Sequence, residues 1–182
     1  MILESGNNGN IITYNGITPK IHPSVFICHG VQIIGDVEIG KDSSVWYNSV
    51  IRGDVHYIRI GEGTNIQDLS MLHVTNGIFP LNIGNNVTIA HSVTLHGCTI
   101  KDNSFIGIGA RVLDGAIVNS RSVVAAGALV KEGFIVPEGV LVAGVPAKKI
   151  REIRPEERIN FDKISGLYIG YCEDYRRQIV DK

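Results

Sequence analysis

The feature that most constrains this chain is an aliphatic residue that recurs at every sixth position. The longest unbroken series contains Ile100, Ile106, Val112, Val118, Val124, Val130, Val136 and Val142. A period of six fits neither the turn of an α-helix, at about 3.6 residues, nor an array of β-hairpins. It is typical of a parallel β-helix, in which each hexapeptide supplies a short strand and a corner while its aliphatic residue points inward. The sequence therefore predicts an all-β fold of this type.

Three hexapeptides make one triangular coil of about 18 residues, so about seven coils fit between Ile17 and Val145. The chain has 21 glycines in 182 residues, which suits a fold with many tight corners. The repeat slips at three places, between residues 51 and 60, between residues 72 and 83, and between residues 95 and 100. These slips predict, in that order, a widened corner, a protruding loop at residues 75–80 and a small irregularity.

The repeat ends after Val145, and the sequence that follows is rich in charged residues. We expect residues 1–150 to form the β-helix and residues 151–182 to form a helical segment that packs on it. Pro155 followed by two glutamates is typical of a helix start, so we predict one C-terminal α-helix from about Pro155 to Val180. Tyrosines at helical spacing in this segment predict a face that packs onto the coils.

Charge and cysteine content exclude several classes of protein. The 17 basic and 18 acidic residues give a formal charge of −1, so neither nucleic acid nor a membrane is expected as a partner. No apolar run approaches the roughly 20 residues of a membrane-spanning helix. Three cysteines without a Cys-x-x-Cys pair indicate reduced thiols. Residues 1–8 lack the features of a secretory signal, so we expect a cytoplasmic protein.

Two histidines occupy equivalent positions in neighbouring coils. His73 and His96 each follow an inward aliphatic residue directly, and these aliphatic residues are three hexapeptides apart once the 75–80 loop is excluded. Both imidazoles should therefore lie outward on one face, about 4.8 Å apart, the spacing of paired strands. At that distance two ring nitrogens can bind one metal ion through bonds of about 2.0–2.1 Å.

His91 stands two positions after an inward residue, which places it on the adjacent face. It cannot reach the same ion within its own β-helix, but packing of three chains in a ring would bring it to the His73 and His96 pair of a neighbour. Three imidazoles and one open position are typical of a catalytic zinc site. Asp68 occupies the position of His91 one coil below and is a predicted acceptor for its ring N–H. Gln67 could position a water there.

The remaining histidines, His22, His29 and His56, have no such partners in the repeat. We interpret them as surface or packing residues.

Several segments of this sequence occur together in one known family: SVWYNSVIRGD at 44–54, NIQD at 65–68, LHV at 72–74, IAHSVTLHGCTI at 89–100 and AGVPAK at 143–148. With these motifs the chain resembles the gamma-class carbonic anhydrases, including their relatives the ferripyochelin-binding proteins, over nearly its whole length. The resemblance implies a left-handed β-helix, a homotrimer with Zn²⁺, or alternatively Fe²⁺ or Co²⁺, between its subunits, and reversible hydration of CO₂ to bicarbonate.

The resemblance also assigns roles to individual residues. It implies metal binding by His73, His91 and His96. It further implies an ion pair between subunits, formed by Arg52 and Asp54 near the site, and a Gln67 side chain that holds the attacking water.

The chain departs from the archetypal family pattern at two places. Val55 replaces a glutamate, and the 75–80 loop, TNGIFP, replaces a long acidic loop that carries a proton-shuttle glutamate. Since the proton released from water must be carried away at each turnover, we expect activity that is weak in dilute buffer. His56 and Tyr168 are candidate replacements for the missing proton shuttle.

Two other functions are compatible with the sequence. The AGVPAKKI segment at 143–150 also resembles hexapeptide acyltransferases that use acyl-CoA, in which a single histidine, here His91 or His96, would act as general base. A trimer that binds a metal or another ligand without turnover would explain intact metal ligands beside a missing shuttle.

Overall fold

The computed structural model describes residues 9–180, which form short strands followed by one long helix. The strands are β1 (Asn10–Ile12), β2 (Lys20–Ile21), β3 (Phe26–Ile27), β4 (Gln32–Ile39), β5 (Ser44–Val45), β6 (Val50–Ile60), β7 (Asn65–Ile66), β8 (Met71–His73), β9 (Leu81–Ile83), β10 (Thr88–Ile89), β11 (Thr94–His96), β12 (Thr99–Ile100), β13 (Phe105–Ile106), β14 (Arg111–Val112), β15 (Ile117–Val118), β16 (Val123–Val124), β17 (Leu129–Val130), β18 (Ile135–Val136), β19 (Val140–Ala143) and β20 (Lys148–Glu152). The helix is α1 (Pro155–Val180). Residues 1–8, which we expect to carry no secretory signal, lie outside the described part.

The strands stack as a parallel β-helix, which confirms the predicted fold class. One face is the sheet β3-β5-β7-β10-β13-β16-β19, closed at its end by the antiparallel strand β20. The other two faces belong to one larger sheet, because the long strands β4 and β6 continue from one face to the next. Strand β20 crosses residue 150, the boundary expected from the sequence.

The interior is built from the aliphatic residues that repeat every six positions. In one column each member lies directly above the previous one, and every member is fully buried: Ile33, Ile51, Leu72, Leu95, Val112 and Val130. Burial of each such side chain stabilises the fold by about 1.5–3 kcal/mol. The repeat therefore fixes which residues point outward and become available for chemistry.

The prediction of a widened corner between residues 51 and 60 is wrong, because strand β6 runs through this segment without interruption. The chain turns there within the paired strands β4 and β6, with a register shift between Gly35 and Val37. Gly35 has a positive φ of 74°, and a Cβ at Gly53 would lie 2.7 Å from the Asp36 carbonyl oxygen. Two glycines thus allow the backbones to approach closely enough to keep pairing through the bend. The predicted 75–80 loop is present and closed by bridging of Thr75 with Phe79.

Helix α1 begins at Pro155 and ends at Val180, as predicted. Its first turn is capped by the Glu157 carboxylate, which accepts a hydrogen bond from the backbone N–H of Arg154. The helix lies along the β3–β19 face, where Tyr168 and Tyr175 pack edge-on against Trp46. The tyrosine face of the helix therefore packs onto the coils, as predicted.

Among residues 9–180, no helix has both the length and the apolar character that a membrane crossing requires.

Candidate metal centre

His73 and His96 lie next to each other on the outer surface of the β-helix. They are in register on strands β8 and β11, as the hexapeptide repeat predicts, and His73 Nδ1 is 3.1 Å from His96 Nε2. The other nitrogen of each ring faces a carboxylate: His73 Nε2 is 3.1 Å from Asp54 Oδ1, and His96 Nδ1 is 2.6 Å from Asp114 Oδ1. With protons on the carboxylate sides, both rings direct a lone pair into the space between them.

This arrangement fits a metal ion by the chemistry of its donors. Two lone pairs 3.1 Å apart repel each other unless a cation lies between them. Two nitrogen ligands of a tetrahedral ion, with bonds of about 2.0–2.1 Å, are separated by about 3.3–3.4 Å, which is close to the observed distance. Burial holds the pKa of His73 below its ordinary value, against the opposing hydrogen bond with Asp54, so the ring is in the neutral form that binds metals.

Arg52 and Asp54 form an ion pair beside His73. The Arg52 guanidinium donates to Asp54 Oδ2 at 2.5 Å, while Asp54 Oδ1 faces the His73 ring. Within one chain the two side chains can meet because residues two apart on a strand point the same way. The pair between subunits that the resemblance implies stays a prediction. Burial tends to raise the pKa of the Asp54 carboxyl, but hydrogen bonds from Arg52 and His73 outweigh it and hold the pKa below its ordinary value.

Asp114 is a residue of this cluster that sequence reasoning missed. Its carboxylate contacts both His96 and the Thr75 hydroxyl. Leu95 lies under Val112, so the coil here has 17 residues, and Asp114, 18 residues after His96, is one position past the residue in register with it. The period of the repeat alone therefore does not place Asp114 beside His96.

His91 lies on the adjacent face, with Asp68 one coil below it. His91 Nδ1 is 2.8 Å from Asp68 Oδ2, which leaves Nε2 as the nitrogen available to a further partner. The His91 side chain is 47% exposed, against 17% for His73. Gln67 lies just before Asp68 and is buried, with its amide N–H donating to Asn65 Oδ1 at 3.1 Å.

An aromatic cavity of about 340 Å³ opens beside His91 and Asp68. Its remaining walls are Trp46, Tyr47, Tyr168, Tyr171 and Tyr175. Burial raises the pKa of the Tyr168 hydroxyl, and the negative charge of Asp68 raises it further. Tyr168 is therefore protonated near neutral pH.

The predicted site residues thus form two groups on one chain. The first, which we call the paired half-site, comprises Arg52, Asp54, His73 and His96, together with Asp114 and Thr75. The second, the cavity half-site, comprises Asp68, His91, Tyr168 and the aromatic walls. Within residues 9–180 of a single chain, no cluster of three or more side chains is suited to hold a metal ion. His22 instead contacts Ser24, and His56 contacts Tyr57.

The chain is similar to proteins of known name over most of its length. Residues 18–53 match the family model described as bacterial transferase hexapeptide (six repeats). The carbonic anhydrase of Geobacillus kaustophilus is 47% identical over 178 residues, which cover 94% of this chain and 97% of that protein. Mitochondrial gamma carbonic anhydrase 2 of Arabidopsis thaliana is 42% identical over 161 residues, 86% of this chain. This chain spans 58% of that longer relative.

A solved structure also has the same architecture. A Bacillus cereus protein provisionally termed an acetyltransferase superposes with a TM-score of 0.91 and 40% identity, covering 94% of this chain and 99% of that one.

Proposed function

The chain belongs to the gamma carbonic anhydrase family, and on that premise we propose that it is a metal-dependent enzyme that interconverts CO₂ and bicarbonate in a homotrimer. One observation carries this proposal: the histidines divide into a pair, His73 and His96, and a single His91 on another face. Neither half-site supplies three ligands, but the two are complementary.

A ring of three chains would complete the site. If the paired half-site of one subunit meets the cavity half-site of the next, the contact joins two different surfaces and closes after three copies. Three equivalent sites result, each with two ligands from one chain and one from its neighbour. The isolated chain is then expected to bind metal poorly.

The three ligands would be His73, His91 and His96. Three neutral imidazoles with one open position suit Zn²⁺, with Fe²⁺ or Co²⁺ as alternatives. Such an ion acts as a Lewis acid and lowers the pKa of water to about 7, which supplies the nucleophile for CO₂.

The surrounding residues orient these groups. Asp68 accepts the Nδ1–H of His91 and so directs the Nε2 lone pair outward. Asp54, held by Arg52, accepts the Nε2–H of His73 and so leaves the lone pair of that ring on Nδ1. Gln67, which directly precedes Asp68 in the chain, would position the attacking water, and Tyr168 would form part of the apolar wall that receives CO₂.

The test is a CO₂ hydration assay on protein purified under reducing, anaerobic conditions, with metal analysis of the same sample. Because the 75–80 loop carries no carboxylate, we expect hydration to be slow in dilute buffer and to rise with the concentration of an imidazole buffer. Buffer molecules would then take the proton that the missing side chain cannot. Absence of hydration at every buffer concentration, with metal fully loaded, would contradict the proposal and favour a binding role.

Acyl transfer is the second candidate, supported by the similarity to the Bacillus cereus protein provisionally termed an acetyltransferase. This reaction needs one histidine as a general base and no metal. It predicts transfer from acetyl-CoA that survives chelation of metal ions and survives His73→Ala. Carbonic anhydrase activity should be lost in both cases, so the two functions are separable with one variant and one chelator.

A further inference from the structure

We propose that Asp114, held by Thr75, is a positioning residue that fixes the His96 ring with Nε2 directed at the metal. The inference rests on the proposed function and adds a residue to it.

The His96 ring has one orientation compatible with both of its contacts. Nδ1 is 2.6 Å from Asp114 Oδ1, and Nε2 is 3.1 Å from His73 Nδ1. A carboxylate only accepts hydrogen bonds, so in the neutral ring, the form that binds metals, the proton resides on Nδ1 and the lone pair on Nε2. Such a carboxylate fixes the tautomer and orientation of a ligand imidazole and raises its basicity.

Asp114 is itself held in place by its second oxygen. The Thr75 hydroxyl donates to Asp114 Oδ2 at 2.6 Å, so both carboxylate oxygens have a partner. The Asp114 side chain is 20% exposed. The backbone around it is fixed on both sides, because Gly133 N–H donates to Asp114 O and the adjacent Gly115 N–H donates to Gly97 O. The carboxylate therefore has little freedom to leave His96.

Thr75 connects this contact to the short loop that follows His73. Its backbone N–H donates to Phe79 O at 3.0 Å, and the Phe79 N–H donates back to Thr75 O at 3.2 Å. These bonds close the loop and fix the direction of the threonine hydroxyl. One hydroxyl thus joins the loop, the carboxylate and the ligand histidine in a single chain of contacts.

The test compares metal affinity in three variants by titrating metal-free protein with Co²⁺ and following its visible absorption. Asp114→Asn should bind Co²⁺ about 10–100-fold more weakly than the unmodified protein. Thr75→Val should have a smaller effect in the same direction, and Thr75→Ser should restore binding. Asp102→Asn is the matched control, since Asp102 also accepts a hydrogen bond from a neighbouring coil, from Asn85 N at 2.7 Å, but contacts backbone instead of histidine.

A second measurement separates positioning from general stability. Nitrogen-15 NMR of the metal-free protein should show His96 with its proton on Nδ1. Both Asp114→Asn and Thr75→Val should lower the fraction of His96 in this tautomer. The unfolding temperature of Thr75→Val should stay near that of the unmodified protein. If Asp114→Asn does not fold, Thr75→Val alone decides. Co²⁺ affinity and His96 tautomer unchanged in Thr75→Val would overturn the inference while leaving the proposed function intact. Failure of the unmodified protein to bind any Co²⁺ would overturn both.

Discussion

The two half-sites differ in how much of their geometry one chain can build. The paired half-site is a continuous series of polar contacts that connects Arg52, Asp54, His73, His96, Asp114 and Thr75. In the cavity half-site, His91 contacts Asp68 beside an aromatic wall. The comparison teaches that a single chain brings His73 and His96 together through neighbouring coils, whereas in the proposed site the third ligand would come from a neighbouring subunit.

Loss of any one ligand should have the largest effect. His73→Ala, His91→Ala and His96→Ala should each lower bound metal from one ion per subunit to nearly none, because two imidazoles hold the ion too weakly. His22→Ala and His29→Ala are the controls and should keep full metal content. Metal analysis after gel filtration gives the answer, and an unchanged content in one of the first three variants would remove that residue from the site.

Mixing defective subunits tests the division into half-sites directly. Co-refolded His73→Ala and His91→Ala chains should form mixed trimers that each contain one complete site of three. With random association, metal content recovers to about one quarter of the normal value. His73→Ala mixed with His96→Ala should recover none, because both defects lie in the paired half-site. Equal recovery of metal content in the two mixtures would contradict the division of the ligands into two half-sites.

Arg52→Ala should weaken the trimer by an intermediate amount. The substitution leaves the Asp54 carboxylate, 15% exposed, without its guanidinium partner at the proposed interface. A fully buried pair costs about 3–5 kcal/mol when broken and an exposed pair about 0–1 kcal/mol. Since the Arg52 side chain is 39% exposed in one chain, we expect a loss of about 1–2 kcal/mol.

Sedimentation velocity over a range of concentrations measures this loss. Arg59→Ala is the matched control, because Arg59 pairs with Asp36 and Glu38, neither of which belongs to a half-site. A trimer equally stable in both variants would show that the paired half-site contributes little to assembly.

Tyr168→Phe should have the smallest effect of these substitutions, and that effect should be on the rate of CO₂ hydration. Burial raises the pKa of the Tyr168 hydroxyl, so near neutral pH it has no free base form to accept a proton. We expect the dependence of hydration on buffer concentration to stay the same, with a change in rate well below the roughly 100-fold typical of a lost general base. Stopped-flow hydration in dilute and concentrated buffer tests this, and a selective loss in dilute buffer would identify Tyr168 as a shuttle.

Much of the fold was predictable because the hexapeptide repeat is a local pattern that fixes which residues point inward. Once each aliphatic residue is placed inward, the faces of its neighbours follow, and His73 and His96 come into register without further information. The same reasoning places Asp68 beside His91. The bend within the paired strands β4 and β6 was not predictable in this way, since it depends on two glycines, Gly35 and Gly53, that meet only after the coils stack.

The sequence by itself determined the parallel β-helix, the C-terminal helix and the face on which each histidine lies, because these follow from spacing along the chain. For His73 and His96, only the tertiary structure decided which carboxylate holds which ring. Asp114 reaches His96 from the next coil, and Thr75 reaches Asp114 from a loop 39 residues earlier. The physical reason is that a hydrogen bond requires the two side chains to approach within about 3 Å in a suitable direction. Stacking of the coils and closure of the loop set that approach, and the period of the repeat does not.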